Sequence, residues 1–272
     1  MNKLQDLMVR TSDVTLINGV KRGLEIIKEM RVCEEHGEYE AKGIAGKKAW
    51  SICPQCRTKR EAQEKSEREA ERAASKERDF INRLENSGIP PRFLNRLLSN
   101  YKSENQGQQR AFEYASKFAD EFEDVAKTGR SAVFIGKPGT GKTHLACAIA
   151  QHISRNHDAS FRFITVLRAM RNIKDSWSKE SEITEGQAIY QFVAPDLLIL
   201  DEVGVQFGSE FEKNILFDVI NQRYEKRKPT IFISNLPMSE LSIYLGERVM
   251  DRLREDGGTI IPFAWDSQRG KT

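Results

Sequence analysis

Gly136-Lys137-Pro138-Gly139-Thr140-Gly141-Lys142-Thr143 follows the apolar run Val133–Ile135 and leads into His144-Leu145-Ala146-Cys147-Ala148. The order is strand, glycine-rich turn, helix. The turn matches G-x-x-x-x-G-K-[ST] at every specified position, in the context that pattern requires. Its glycines let backbone N–H groups face phosphate oxygens, and the helix N-terminus adds a partial positive charge. Lys142 is expected to reach the β- and γ-phosphates, and the Thr143 hydroxyl to ligate Mg²⁺. The eight residues of the turn, with His144, form the expected nucleotide contacts.

Downstream, short apolar runs alternate with helical stretches. Phe161–Val166, Leu197–Leu200, Thr230–Ser234 and Thr259–Phe263 read as four further strands. Unbroken apolar runs between helices indicate a buried parallel sheet. The expected fold is α/β, a five-stranded parallel sheet flanked by helices. Leu197–Leu200 delivers Asp201 and Glu202 at its C-terminal end. Asp201 is suited to hold Mg²⁺ through water, and Glu202 to orient and deprotonate an attacking water. That acidic pair argues for hydrolysis beyond nucleotide binding. Asn235, just past the strand Thr230–Ser234, lies beside the γ-phosphate if that strand neighbours the first. On spacing alone it reads equally as a turn residue.

With these segments in hand, the core resembles the AAA+ P-loop ATPases. Within them it is most similar to the DnaC-type replicative helicase loaders and the IstB-type transposition helpers. GKPGTGKTHLACAIA (136–150), LLILDEVG (197–204), ISN (233–235), LGERVMDRLR (245–254) and FAWDSQR (263–269) carry the likeness, which spans roughly residues 88–272. The last two are the more specific to the loaders. The resemblance implies that Arg252 is an arginine finger reaching a neighbouring subunit's γ-phosphate, with Arg248 and Arg254 as nearby alternatives. It implies that Arg269 is a sensor arginine acting in cis. It also implies that a helical insertion between the second strand and the acidic strand contacts single-stranded DNA. Arg168, Arg171 and Lys174 recur three apart before Trp177, a cationic track with an aromatic plate. A solvated basic face with Trp177 buried is the plainer reading. The implied activity is ATP-dependent loading of a hexameric replicative DNA helicase onto single-stranded DNA, with self-association. A transposition helper and a non-hydrolysing nucleic-acid adaptor are the alternatives. The 37 residues after Asn235 cannot hold both a helical lid and a helix-turn-helix, which disfavours a replication initiator.

Upstream of the core, Cys33-x2-His36 and Cys53-x2-Cys56 form two close pairs separated by 16 residues. That spacing suits a closed, structural zinc-ribbon-like Zn²⁺ site, with a hairpin around Gly43 and Gly46 between the pairs. Two reduced pairs in a small core are the alternative. Residues 41–60 carry six basic side chains, no acid, and Trp50, which suits nucleic acid, an acidic protein surface or a mere stabilising knob. Residues 59–79 hold seven basic and seven acidic residues and no aromatic, so they read as a solvated helical linker ended by Ser87-Gly88-Ile89-Pro90-Pro91. Leu16, Ile17, Val20, Leu24 and Ile27 recur at helical spacing after Asp13, a plausible N-cap. That helix either packs within the chain or docks a partner. The expected organisation is an amphipathic helix (1–31), a zinc module (32–58), a charged linker (59–87) and the ATPase domain (88–272). In 272 residues there is no run of 18 apolar residues, and four cysteines are too few for a disulfide scaffold. MNKLQDLMVRTSD has no apolar leader core, so a cytoplasmic bacterial or phage-encoded protein without a membrane partner is expected.

Overall fold

The computed structural model describes residues 25–204, 210–255 and 257–268. The chain divides into two compact units, one up to Ser75 and one from Lys76 onward.

The first unit begins with an antiparallel hairpin, β1 (Ile26–Cys33) and β2 (Gly37–Ile44), in register from Ile26↔Ile44 to Cys33↔Gly37. This corrects the helix expected over 1–31. Ile26–Arg31 are extended because the facing strand supplies their ladder, while Leu16, Ile17, Val20 and Leu24 lie outside the described residues. It also moves the expected hairpin. The tight turn is the first Cys/His pair itself, closed by Gly37 at φ 76°, and Gly46 instead bends the chain back so that Gly43 pairs with Trp50. A Cβ on Gly43 would stand 2.8 Å from the Trp50 ring, so only glycine admits this contact. The Arg31 guanidinium lies 4.8 Å over the Trp50 ring.

Helix α1 runs Pro54–Asn86. It starts with proline, whose missing N–H costs nothing in a first helical turn. The charged linker is thus helical, but it begins five residues before Lys59 and takes Cys56 into its first turn. Ion pairs form at Arg57–Glu61, Arg60–Glu64 and Lys65–Glu69. Exposed pairs of this kind are individually weak.

The second unit holds the last turns of α1, then α2 (Gln106–Asp120), α3 (Phe122–Thr128), β3 (Ala132–Gly136), α4 (Lys142–Asn156), β4 (Phe161–Thr165), α5 (Val166–Asp175), α6 (Glu185–Val193), β5 (Leu197–Asp201), α7 (Glu210–Glu225), β6 (Thr230–Ser234), α8 (Met238–Leu245), α9 (Glu247–Glu255) and β7 (Thr259–Phe263). The sheet is parallel throughout, in the order β4-β5-β6-β3-β7. Val166 belongs to α5 and not to the strand before it, because the Thr165 hydroxyl caps that helix by accepting from Arg168 N–H.

Both sheet faces are covered, which explains the unbroken apolar runs. Phe134, Leu197, Ile199, Ile231 and Ile233 pack with Phe118, Leu145, Ile149 and Ile153 of α2 and α4. Val133, Leu198, Leu200 and Phe232 face the other way, toward Met170, Phe192, Val219 and Leu253. Pro262 sits in β7, an edge strand where a lost ladder donor is tolerated. The opposite edge, β4, is bordered by the end of α1. Phe163 N–H donates to Ser87 O, and Arg83 donates to the Ser154 hydroxyl and carbonyl. Arg155 lies over the buried Phe80 ring and forks onto Glu77.

Arg223 of α7 is fully buried and donates to the carbonyls of Phe192, Val193, Pro195, Asp196 and Pro229 and to the Thr230 hydroxyl. One guanidinium thereby closes the end of α6 and the start of β6. Burial pulls its pKa down to about 9.

Candidate active site

The glycine-rich turn joins β3 to α4 at the C-terminal edge of the sheet. Gly136 abuts the Phe263 carbonyl, so no side chain fits there. Gly141 caps α4 at φ 97°, a backbone conformation that L side chains rarely adopt. The Lys142 side chain is buried and lies back along the turn, donating to Gly136 O at 2.6 Å and Lys137 O at 2.8 Å. The Thr140 hydroxyl donates to Lys137 O. His144 differs from the expectation for its side chain. Its ring sits edge-on to Tyr101, with Nε2 3.3 Å from Leu97 O, and burial lowers its pKa. What it can turn toward a phosphate is the N–H of a first helical turn.

The Thr143 hydroxyl donates to Asp201 Oδ2 at 3.2 Å, bringing the turn and the acidic strand together across 58 residues of sequence. Asp201 Oδ1 accepts from Glu202 N–H at 2.8 Å. Burial pushes the Asp201 carboxyl up, and the bonds from Glu202 and Thr143 oppose that rise. Glu202 itself is exposed at φ 58°, a strained conformation for a glutamate. Asn235 follows β6, which does neighbour β3, with Ser234 in register with Ile135. It is therefore exposed at the same edge as Gly136. Cys147, on α4, is buried in the core, which raises its thiol pKa.

Two residues that the sequence reading left unassigned brace the turn. Trp265 Nε1 donates to Thr140 O at 2.9 Å, and Gln268 N–H donates to Gly139 O at 2.9 Å. The segment quoted as FAWDSQR was the signal that could have found them. Arg269 lies outside the described residues.

Arg252 lies on α9, half-buried, with its guanidinium 5.2 Å over Phe217 and 5.1 Å over Tyr224 of its own chain. Tyr224 in turn donates to Glu255 at 2.7 Å. Arg248 and Arg254 on the same helix are exposed. Arg168, Arg171 and Lys174 are exposed along α5. Trp177 is exposed too, at 45%, with its indole N–H on Glu185, so the buried alternative for it is excluded.

In the first unit, Cys33, His36, Cys53 and Cys56 converge, their four ligand atoms all within 4.8 Å of one another. Cys33 Sγ is 3.5 Å from Cys56 Sγ and 3.6 Å from His36 Nδ1, and Cys56 Sγ is 3.3 Å from that nitrogen. Metal–ligand bonds of about 2.0–2.3 Å in a tetrahedron put ligand atoms roughly 3.3–3.8 Å apart, so the cluster fits a zinc-sized ion. The separation is too long for a disulfide, and all four cysteines of the chain are free. The His36 hydrogen bond draws Cys33 down to about 7, while sharing a hydrogen bond with Cys33 holds Cys56 up at about 11.

The model of the family described as "IstB-like ATP binding protein" matches residues 68–269. The chain is 38% identical to the replicative helicase loader DnaC of Escherichia coli K12 over 204 residues, 75% of this chain and 80% of that one. It is 38% identical over 187 residues to the DnaC of Buchnera aphidicola from Acyrthosiphon pisum, covering 68% and 74%. Among solved structures, the crystal structure of the DnaC helicase loader superposes with a TM-score of 0.58 at 24% identity, over 64% of this chain and 99% of that one. DnaI superposes with a TM-score of 0.55 at 23% identity, over 67% and 95%. These two share the fold of the second unit.

Proposed function

This chain belongs to the IstB-like ATP-binding protein family, and from that premise we propose that it is an ATPase that loads a replicative DNA helicase onto single-stranded DNA. The observation that carries the ATPase reading is the Thr143–Asp201 contact, which joins a complete phosphate-binding turn to an acidic strand end. The identity to proteins named as helicase loaders, over about three quarters of the chain in one case, supports the choice of partner.

Each site residue then takes a role. The N–H groups of Gly139–Thr143 hold the β- and γ-phosphates, with Lys142 supplying a charge beside them. Thr143 and Asp201 hold Mg²⁺, whose charge would neutralise the phosphates. Glu202 accepts a proton from the attacking water as the water oxygen bonds to the γ-phosphorus and the bond from that phosphorus to the β–γ bridging oxygen breaks, releasing ADP. Asn235 polarises that water or the γ-phosphate from the next strand. Arg269 touches the nucleotide in cis. Arg252 completes the site of a neighbouring subunit, for which its guanidinium must leave the Phe217 and Tyr224 rings. Arg168, Arg171, Lys174 and Trp177 bind single-stranded DNA, three cations on the backbone and one ring on a base. Cys33, His36, Cys53 and Cys56 hold one structural Zn²⁺, which orders a module with little apolar core of its own.

Co-purification decides the partner. A hexameric replicative helicase captured by the tagged full chain supports the loader. Capture of a transposase instead supports the transposition-helper reading. ATP hydrolysis by the purified chain, absent in Glu202→Gln, excludes a non-hydrolysing adaptor.

A further inference from the structure

Trp265 has no part in the roles above, yet it is bonded to the phosphate turn. Its indole N–H donates to Thr140 O, and three residues later Gln268 N–H donates to Gly139 O. These two carbonyls belong to consecutive peptide units. The peptide of Gly139 O carries the N–H of Thr140, and that of Thr140 O carries the N–H of Gly141. A trans peptide is planar and points its C=O and N–H in opposite directions. Pinning both carbonyls to the C-terminal segment therefore aims both N–H groups to the opposite side of the turn. Gly136 O and Lys137 O accept from Lys142, Lys137 O also accepts from Thr140, and Gly141 O accepts from Leu145 N–H of α4.

The brace has an independent footing. The Trp265 ring packs 4.9 Å from the Phe263 ring of β7, and a Cβ on Gly107 at the start of α2 would meet it at 3.0 Å. The indole is thus held by the sheet edge and α2, and presents its donor to a turn that glycines leave soft. A donor on a peptide carbonyl also polarises that peptide's N–H, strengthening its bond to an anion.

We propose that Trp265 is a positioning residue for nucleotide binding, which together with the Gln268 main chain sets the Thr140 and Gly141 amides toward the phosphates. The proposal rests on the nucleotide reading of this site. Its effect is on binding common to ground and transition states, so its loss raises KM without lowering kcat. It also acts on ADP and ATP alike.

Trp265→Phe keeps an aromatic ring at this position while removing the donor and part of the indole. Titration calorimetry with ADP and with a non-hydrolysable ATP analogue is expected to show binding weakened about five- to tenfold for both nucleotides, the loss typical of one hydrogen bond. KM for ATP should rise by a similar factor with kcat within about twofold, and the nucleotide-free Tm should be unchanged. If Trp265→Phe lowers that Tm, Gln268→Pro serves instead, since it deletes the other donor of the brace while leaving the indole in place. Wild-type affinity in a folded Trp265→Phe chain overturns the proposal, as does a fall in kcat with KM unmoved. A wild-type chain that binds neither nucleotide sinks the ATPase reading itself, a result separable from both.

Discussion

Lys142 and Glu202 stand at opposite ends of the same reaction, so their variants should fail differently. Lys142→Ala removes a charge-assisted partner of the phosphates, worth about 1.5–3 kcal/mol, and calorimetry should show ATP binding weakened roughly 10- to 150-fold. Glu202→Gln keeps size and backbone but cannot take the proton from water. Binding should persist while turnover falls by about 10²–10⁴. Wild-type hydrolysis in Glu202→Gln would falsify its assignment as base. Both residues were legible because the glycine turn and the acidic strand end each have a fixed spacing tied to phosphate geometry. Arg223 was not. Nothing in its surroundings in sequence separates it from the other arginines of the chain, and its worth comes from five carbonyls brought together by α6 and β6. Arg223→Leu removes the donor these carbonyls share, leaving Pro229 O with Leu198 N–H alone, and should cost about 3–5 kcal/mol, read as a lowered denaturation midpoint with the slope preserved. Arg252 shows a different limit. Sequence pointed to it through a family motif, but only the folded chain sets its guanidinium over two rings of α7.

Among the elements, the five strands were readable because both faces of the sheet are buried, which writes each strand as an unbroken apolar run. The hairpin β1–β2 escaped reading for the opposite reason. It has little core, and along β1 Ile26, Met30 and Val32 are exposed while Glu29 and Arg31 lie between them, so no alternation of apolar in and polar out marks it. The Cys/His set lies at and just beyond its turn, so the zinc proposed there would act as a folding partner. Elemental analysis of the purified chain should give about one zinc per molecule. Cys56→Ala should lose the zinc and the protease resistance of the segment around residues 26–53, while ATP binding by the unit from Lys76 onward survives. A metal-free wild-type chain purified without chelator, with that segment still protected, overturns the assignment. The exposed basic residues of α5, with Trp177 just beyond them, yield a second test. Trp177→Ala should weaken single-stranded DNA binding by about 1–3 kcal/mol in a fluorescence anisotropy titration, with the DNA-independent ATPase rate unchanged.

At the scale of the whole molecule, the two halves of the catalytic set sit apart within one chain. The phosphate turn, Asp201 and Glu202 gather at the C-terminal edge of the sheet, whereas Arg252 is folded against α7. On the roles proposed above, a single subunit would have a base and no finger. Pairing subunits would supply the finger, provided the gain at the neighbouring phosphate exceeds what Arg252 loses on leaving Phe217 and Tyr224. Cation–π contacts are worth about 0.5–2 kcal/mol. An arginine finger contributes about 10³–10⁵ in rate. At 1.36 kcal/mol per tenfold that is about 4–7 kcal/mol, so the transfer is favourable in the transition state. DNA that aligns neighbours along Arg168–Trp177 should then accelerate hydrolysis. Arg252→Ala should abolish that stimulated component while leaving ATP binding intact. Mixing separates trans from cis action. Glu202→Gln subunits keep a finger and lack a base, and Arg252→Ala subunits keep a base and lack a finger. Where one faces the other in the right order, an interface again holds both, so a mixture of two inactive variants should regain DNA-stimulated activity. Recovery that peaks near equal proportions supports the shared site. A mixture as inactive as its parents, with ATP binding and co-assembly both demonstrated, means that Arg252 does not act across the interface. The exposed Arg248 and Arg254 of α9 are then the next residues to exchange in the same test.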